Sequence, residues 1–205
     1  MKNDIPTLKN TDRIPRLKVN YRRQDLASFP HVVKLSGGRS SAFMLISLLH
    51  HGMLSADRGD VVVFNNTAAE HPETYKFVAV LKKICELQFQ VPFFITEFVT
   101  YEDTSAGNWV RLPSFKLANS RPKSESNING YQHKGEVFEE LLSHTAFLPN
   151  RHRRICTSAL KIKVSEQFLS SWFACETELE HLGHFGVDSR TVSYTHLTLP
   201  TIYSV

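Results

Sequence analysis

The sequence lacks the features that mark membrane-spanning and exported chains. Its 205 residues contain no uninterrupted apolar run of about 18, the length that a transmembrane helix needs. The first residues have no apolar core of the kind found in secretory signals. Cysteine is scarce too: the chain has three, which is not the pattern of a disulfide framework. We therefore expect a cytoplasmic protein with reduced thiols and no membrane partner.

Charge is modest overall but uneven along the chain. The formal net charge is +4, and in residues 1–30 seven lysines and arginines stand against three aspartates. This composition is typical of a solvated basic arm. A nucleic-acid contact is the alternative, weakly supported because only Tyr21 and Phe29 interleave aromatic rings with the charges.

The last fourteen residues differ from the rest of the chain. From Val192 they read VSYTHLTLPTIYSV, without a charged side chain and without a helix or strand period. Residue by residue, the stretch resembles the conceptual translation of a transposase-type sequencing adapter. A genuine terminal strand is the alternative, because Thr, Tyr, Ile and Val suit strands. We expect residues 191–205 to be adapter-derived and Arg190 to be the last natural residue of a truncated chain.

Between these ends, apolar runs alternate with helical patterns. The predicted strands are residues 31–35, 61–65 and 91–98, and the predicted helices are residues 40–50, 72–87, 135–144 and 157–173. Continuously apolar strands separated by helices are typical of a parallel sheet covered on both faces. Residues 100–134 are polar and without a period, which predicts a long loop or lid. The predicted fold is an α/β domain over residues 31–190 with an open parallel sheet.

A glycine turn, SGGRSS, joins the first predicted strand to the first helix. Backbone N–H groups at a helix N-terminus are unpaired and favour an anion. The two glycines allow phosphate oxygens to approach the backbone, and the serines and arginine add donors and charge. A plain connecting turn is the alternative. The candidate binding residues are Ser36, Gly37, Gly38, Arg39, Ser40 and Ser41.

A second block, FNNTAAEHPET (residues 64–74), follows the second predicted strand. Its Asn66, Thr67 and Glu70 lie where open α/β sheets bind ligands, at the carboxyl end of a strand. Helix capping by Asn66 or Thr67 is the alternative.

A third block joins LPN (residues 148–150) to RICTSALK (residues 154–161). Basic neighbours and a helix starting near Thr157 favour a reactive thiolate at Cys156, and a small buried cysteine is the equal alternative. Arg154 and Lys161 belong to a basic cluster suited to phosphate or sulfate oxygens.

These three blocks, in this order, resemble the phosphoadenosine phosphosulfate (PAPS) reductase family within the adenine nucleotide α-hydrolase-like superfamily. SGGRSS is similar to the pyrophosphate loop S-G-G-x-D-S of that superfamily. The second block is similar to F-x-N-T-G-x-E-x-x-E-T, and the third to L-P-N…R-x-C-T-x-x-L-K. The resemblance covers about residues 32–168. Two residues depart from it: Ser40 stands in place of the loop aspartate, and Ala68 in place of the glycine of N-T-G.

The resemblance implies a Rossmann-like fold and an enzyme that acts at the α-phosphate or sulfonyl group of an adenine nucleotide, PAPS or ATP. With PAPS, a thioredoxin-like protein is the implied reductant. With ATP, the alternative is a pyrophosphatase of a sulfur-transfer or nucleic-acid-modification system, accompanied by Mg²⁺. A third alternative is a non-catalytic nucleotide-binding phage accessory protein, which the missing loop aspartate allows.

The candidate roles follow from the same resemblance. Arg154, Cys156 and Lys161 are the candidate catalytic residues. The candidate nucleotide-binding residues are those of the glycine turn together with Asn66, Thr67, Glu70 and Thr157. We expect no iron–sulfur cluster, because the third block has a single cysteine, and we assign no metal ligands.

Sequencing of the source DNA through the codon of Arg190 tests the expected truncation. The natural reading frame should depart from VSYTHLTLPTIYSV directly after that codon. A genomic frame that encodes those residues would contradict the adapter origin.

Overall fold

The computed structural model describes residue 14 and residues 27–104, 109–149, 155–180 and 192–194. In chain order the elements are β1 (His31–Leu35), α1 (Arg39–His50), β2 (Val61–Asn66), α2 (Pro72–Gln88), β3 (Phe93–Asp103), β4 (Val110–Pro122), β5 (Gly130–Tyr131), α3 (Glu136–Thr145), α4 (Ile155–Thr157), α5 (Val164–Glu180) and β6 (Val192–Tyr194). A 3-10 turn, Ala56–Arg58, precedes β2, and a π-helical stretch, Ser158–Lys163, joins α4 to α5.

The strands form one sheet in the order β5-β4-β3-β2-β1-β6. β1, β2 and β3 are parallel neighbours, in agreement with their continuously apolar sequences. Parallel neighbours need a crossover connection, and α1 and α2 supply the two that join β1 to β2 and β2 to β3. The predicted α/β class is confirmed.

The prediction of a long loop over residues 100–134 is wrong. β3 continues to Asp103 and pairs antiparallel with β4, from Ile95↔Ala118 to Asp103↔Val110. β5 then pairs parallel with β4 at the edge, so the sheet is mixed rather than wholly parallel. No residue of β4 is fully buried. Apolar alternation in its sequence is limited to residues 110–112 and 115–117, and Pro113 and Ser114 interrupt it.

Apolar side chains cover the sheet on both faces. Successive strand residues point to opposite faces, so Val33 and Leu35 face α1 and α2 whereas Val32 faces α5. The largest fully buried side chains of the first layer are Phe64, Phe93, Leu45, Leu48 and Leu81. In the second layer Phe168 of α5 lies against Phe94, with ring centroids 5.0 Å apart. In the described ranges, no helix has the length and apolar character needed to cross a bilayer.

Two described pieces outside the main ranges, residue 14 and residues 192–194, contact the residue after α1 and β1, respectively. The carbonyl of Ile14 accepts a hydrogen bond from His51 Nε2 at 3.2 Å, just past the end of α1. The rest of the predicted arm up to residue 26 lies outside the described residues. β6 pairs parallel with β1, from His31↔Val192 to Val33↔Tyr194. Backbone pairing does not test where those residues come from, so the adapter origin stays a prediction.

A buried ion pair fixes the amino edge of the sheet. Asp60, which is fully buried, accepts hydrogen bonds from the backbone N–H groups of His31 and Ser55, both at 2.8 Å. Arg58 Nε donates to the same carboxylate at 2.9 Å. The carboxylate thereby ties the start of β1 to the loop that precedes β2.

We expect Asp60→Asn to lower the free energy of unfolding by about 2 kcal/mol, because an amide has one acceptor oxygen where the surrounding donors need two. Urea denaturation measures this change. Asp57→Asn, at an exposed position of the same 3-10 turn, is the matched control and should change stability little. Equal losses from the two substitutions would contradict the role of Asp60.

Candidate functional site

The two glycines of the turn after β1 have different structural roles. Gly37 has a φ of +78°, and a Cβ built on it would lie 2.9 Å from Thr74 Cγ2 and 3.0 Å from Phe64 Cε2. Both the backbone and the packing therefore require glycine at that position. Gly38 has a φ of −82° and is exposed, and a Cβ there would meet only Ser36 Oγ, at 3.6 Å. Of the two glycines, Gly38 is the one whose missing side chain leaves the backbone open to solvent.

The N-terminus of α1 is exposed and has no side-chain cap. Gly38 is the N-cap residue, and its carbonyl accepts the first helical hydrogen bond from Ala42 N. The three N–H groups before Ala42 have no partner within the helix, as at any helix start. Ser41 Oγ donates to the Gly38 carbonyl and accepts from Ser36 Oγ, both at 2.9 Å, so these hydroxyls brace the turn.

Arg39 and Ser40 are exposed at the same helix start. Together with the open amides, they make this turn suited to an anion.

At the end of β2 the second block forms a buried hydrogen-bonded junction. The Asn66 amide nitrogen donates to Glu97 Oε1 and to the carbonyl of Gln132, both at 2.6 Å. Its amide oxygen accepts from Ala68 N at 2.9 Å and from the Tyr75 hydroxyl at 3.0 Å. The fully buried side chain of Asn66 thus has four partners inside the protein. Its predicted nucleotide contact stays a prediction.

The turn after Asn66 has the backbone shape that glycine usually supplies. Ala68, which stands where the family pattern has glycine, adopts a φ of +59° and is almost fully buried. Its carbonyl accepts from Gly135 N at 2.9 Å, which ties the turn to the start of α3. A left-handed alanine costs about 1 kcal/mol relative to glycine, so the surrounding contacts hold it in place.

The alternative of helix capping by Asn66 or Thr67 is wrong. α2 begins at Pro72, and its N-cap is His71, whose Nδ1 accepts from Glu73 N at 3.2 Å. Thr67 and Glu70 are half-buried in the intervening turn, with Thr67 Oγ1 3.4 Å from Glu70 Oε1.

The third block forms the start of the long helical segment on the α5 face. The helix begins at Ile155 rather than at Thr157, and Arg154 lies outside the described residues. Cys156 is half-buried against the apolar cluster that contains Ala68 and Leu160. Lys161 is exposed on the π-helical stretch.

One serine ties this segment to the second strand. Ser165 Oγ donates to Asn65 Oδ1 at 2.9 Å, beside the end of β2. The same hydroxyl oxygen lies 2.7 Å from the Lys161 carbonyl oxygen, so its single hydrogen is shared between the two acceptors. The π-helical stretch is therefore anchored next to the second block.

The end of β2 is where the three blocks come together. The first block approaches it through Gly37, which lies against Phe64 and Thr74. The third reaches it through the apolar cluster around Ala68 and through the hydrogen bond between Ser165 and Asn65. Each of the three blocks thus has described residues in contact with β2 or with the turn that follows it.

Sequence reasoning missed the charged residues beneath this edge. Glu97 is fully buried in β3, and Lys116 Nζ of β4 lies 2.8 Å from its Oε2. Burial also raises the pKa of the neighbouring Tyr75 to about 12. The available signal was a glutamate inside the apolar run VPFFITEFV, because an acid in such a run is buried with partners.

Lys34 was missed as well. It is half-buried on β1, two residues before the glycine turn. Burial lowers the pKa of Lys34, and the charge of Glu166 acts in the opposite direction. A lysine on the first strand is easily taken for a surface residue, since only the packing of α5 shows its partial burial.

Among the described residues, this site contains neither a group of metal-ligating side chains nor a residue of the cavity beside α3. Within the described ranges, no three His, Cys, Asp or Glu side chains are grouped to hold a metal ion. A cavity of about 130 Å³ lies between α3, β3, β4 and the π-helical stretch. Its polar lining residues include His144, Ser158 and Lys163, and none of the predicted site residues lines it.

No family model, curated protein or solved structure matches this chain. The site is therefore interpreted from its own geometry and chemistry, and membership of a family stays a prediction.

We expect Gly37→Ala to lower the free energy of unfolding by about 2 kcal/mol, because the position has a positive φ and the new Cβ would lie too close to Thr74. Gly38→Ala should change it by less than about 0.5 kcal/mol, because its backbone is extended and the space is open. Urea denaturation of both variants measures the difference. Equal effects would contradict the separation of roles between the two glycines.

Alkylation with iodoacetamide compares the thiol reactivity of Cys85 with that of Cys156. Burial, with a smaller contribution from Glu86, raises the pKa of the Cys85 thiol to about 12. In the native protein Cys85 should react at least about tenfold more slowly than the half-buried Cys156, because the accessible thiolate is the reacting form. Site-resolved mass spectrometry gives both rates. In urea, where both thiols are exposed, the two rates should be similar. Similar rates in the native protein as well would contradict this expectation.

Proposed function

We propose that the chain is an adenine-nucleotide enzyme of the PAPS reductase type, with the Rossmann-like fold of adenine nucleotide α-hydrolases. The observation that carries this proposal is the open turn at Gly38, which presents the uncapped N-terminus of α1 at the carboxyl edge of a parallel sheet. Ligands of open α/β sheets bind at that edge. Phosphate groups fit the donors and the positive end of the helix.

The backbone of the second block supports the same assignment. The family pattern has a glycine where this chain has Ala68, and Ala68 adopts the left-handed conformation that glycine favours. The local shape expected from the pattern is thus present although the residue is different. The grouping of the three blocks around one strand end supports a single site rather than three unrelated sequence matches.

The proposed chemistry takes place at the α-phosphate or at the sulfonyl group attached to it. The amides after Gly38, with Arg39, would stabilise negative charge that develops on phosphate oxygens. Lys161, together with Arg154, would neutralise the leaving anion. Mg²⁺ would accompany ATP, and a thioredoxin-like reductant would be needed with PAPS.

One observation favours ATP cleavage over thiol chemistry at Cys156. The cysteine packs against the apolar cluster of Ala68 and Leu160, where it fills space as a small apolar side chain does. In this second candidate function, a nucleophile of the acceptor substrate attacks the α-phosphorus of ATP and takes the adenylyl group, and pyrophosphate leaves. Cys156 would then be structural.

Isothermal titration with ATP and with PAPS tests the proposal, and Gly38→Val is the decisive variant. Valine suits the extended backbone at Gly38, so the fold should persist while the side chain covers the amides. We expect binding of one nucleotide by the original chain and a loss of more than about tenfold in the variant.

Asp57→Asn, at the opposite edge of the sheet, is the control and should bind as the original chain does. Release of pyrophosphate from ATP or of sulfite from PAPS distinguishes the two reactions. Absence of binding to both nucleotides, or unchanged binding in folded Gly38→Val, would contradict the proposal.

A further inference from the structure

A buried glutamate ties together four segments beneath the proposed nucleotide site. Glu97 is fully buried near the middle of β3, and its Oε1 accepts from Asn66 Nδ2 and from Gln132 N, both at 2.6 Å. Its Oε2 lies 2.8 Å from Lys116 Nζ. An anion with several donors and a cation is stable in the interior, and it holds each of those donors in place.

A continuous series of contacts leads from this carboxylate to the glycine turn. Asn66, held by Glu97, accepts from the Tyr75 hydroxyl and so fixes the first turns of α2. Thr74, the neighbour of Tyr75 in α2, lies nearest to the position that a Cβ on Gly37 would occupy, with Phe64 beside it. Packed side chains thus connect the end of β2 with the turn.

We propose that Glu97 is the positioning residue of the nucleotide site. It orients Asn66, and through Asn66 and Tyr75 it keeps the turn of Gly37 and Gly38 in the arrangement that binds phosphate. Glu97 itself touches no ligand. This inference rests on the proposed function, because it names what holds that same site.

Glu97→Gln is the test, and Asp60→Asn is its matched control. Both positions hold fully buried carboxylates that accept two backbone or amide N–H groups and pair with a cation, but they lie at opposite edges of the sheet. A glutamine has one acceptor oxygen, whereas Lys116 and the pair Asn66 and Gln132 each need one. The amide nitrogen of the new glutamine, itself a donor, would then face either Lys116 or the donors of Asn66 and Gln132.

We expect Glu97→Gln to weaken nucleotide binding by about tenfold under conditions where the variant is folded. Asp60→Asn should leave the dissociation constant for ATP or PAPS within about twofold, although it destabilises the fold. Adding Lys116→Met to Glu97→Gln removes the competing demand for the oxygen, and most of the lost affinity should return.

Hydrogen exchange of the unliganded protein gives a readout that does not depend on the ligand. Exchange at residues 36–41 and 67–70 should accelerate in Glu97→Gln but not in Asp60→Asn. Equal effects of the two variants on affinity, or no effect of Glu97→Gln on either measurement, would overturn the inference. A third outcome separates the two proposals: exchange accelerates in Glu97→Gln as expected, but the original chain binds no nucleotide. That result would show that the proposed function is wrong, while the structural connection from Glu97 to the turn is present.

Discussion

The carboxyl edge of the sheet depends on one side-chain amide. Asn66 ends β2, and its two donors and its acceptor oxygen join β3, the segment after β5, the turn at Ala68 and the start of α2. Those segments come from distant parts of the sequence. Because the amide is fully buried, every unmade hydrogen bond would cost free energy, and so its partners are held closely in position.

The site is built on that junction, and its shape is set by backbone conformation as much as by residue type. Gly37 turns the chain with a positive φ where neighbouring side chains leave no room for a Cβ. Ala68 adopts a similar left-handed conformation without being glycine, and the hydrogen bond from Gly135 N to its carbonyl helps to hold it there. Two strained or restricted turns thus lie at the ends of neighbouring strands, a place where backbone strain is commonly associated with function.

The elements with strong periodic sequences were predicted well. The first two strands and the helix beginning at Pro72 are observed almost at their predicted limits, because buried parallel strands are continuously apolar and Pro at the first helical position marks a start. β4 was missed because its residues are only partly covered and because Pro113 and Ser114 interrupt its apolar alternation. An open backbone was predicted at both glycines and is observed at Gly38, whereas the packing role of the buried Gly37 required the positions of Phe64 and Thr74.

By itself, the sequence determined the α/β alternation, the position of the glycine turn at a strand end and the order of the three blocks on which the proposed site rests. These are local properties, since they depend on the order and spacing of neighbouring residues. Only the tertiary structure decided that Glu97, Lys116 and Gln132 meet Asn66, and that the β3–β4 ladder replaces a loop. These contacts of Asn66 and Glu97 join residues 19 to 66 positions apart, and nothing in the spacing of a single chain records which distant partner a buried polar group will find.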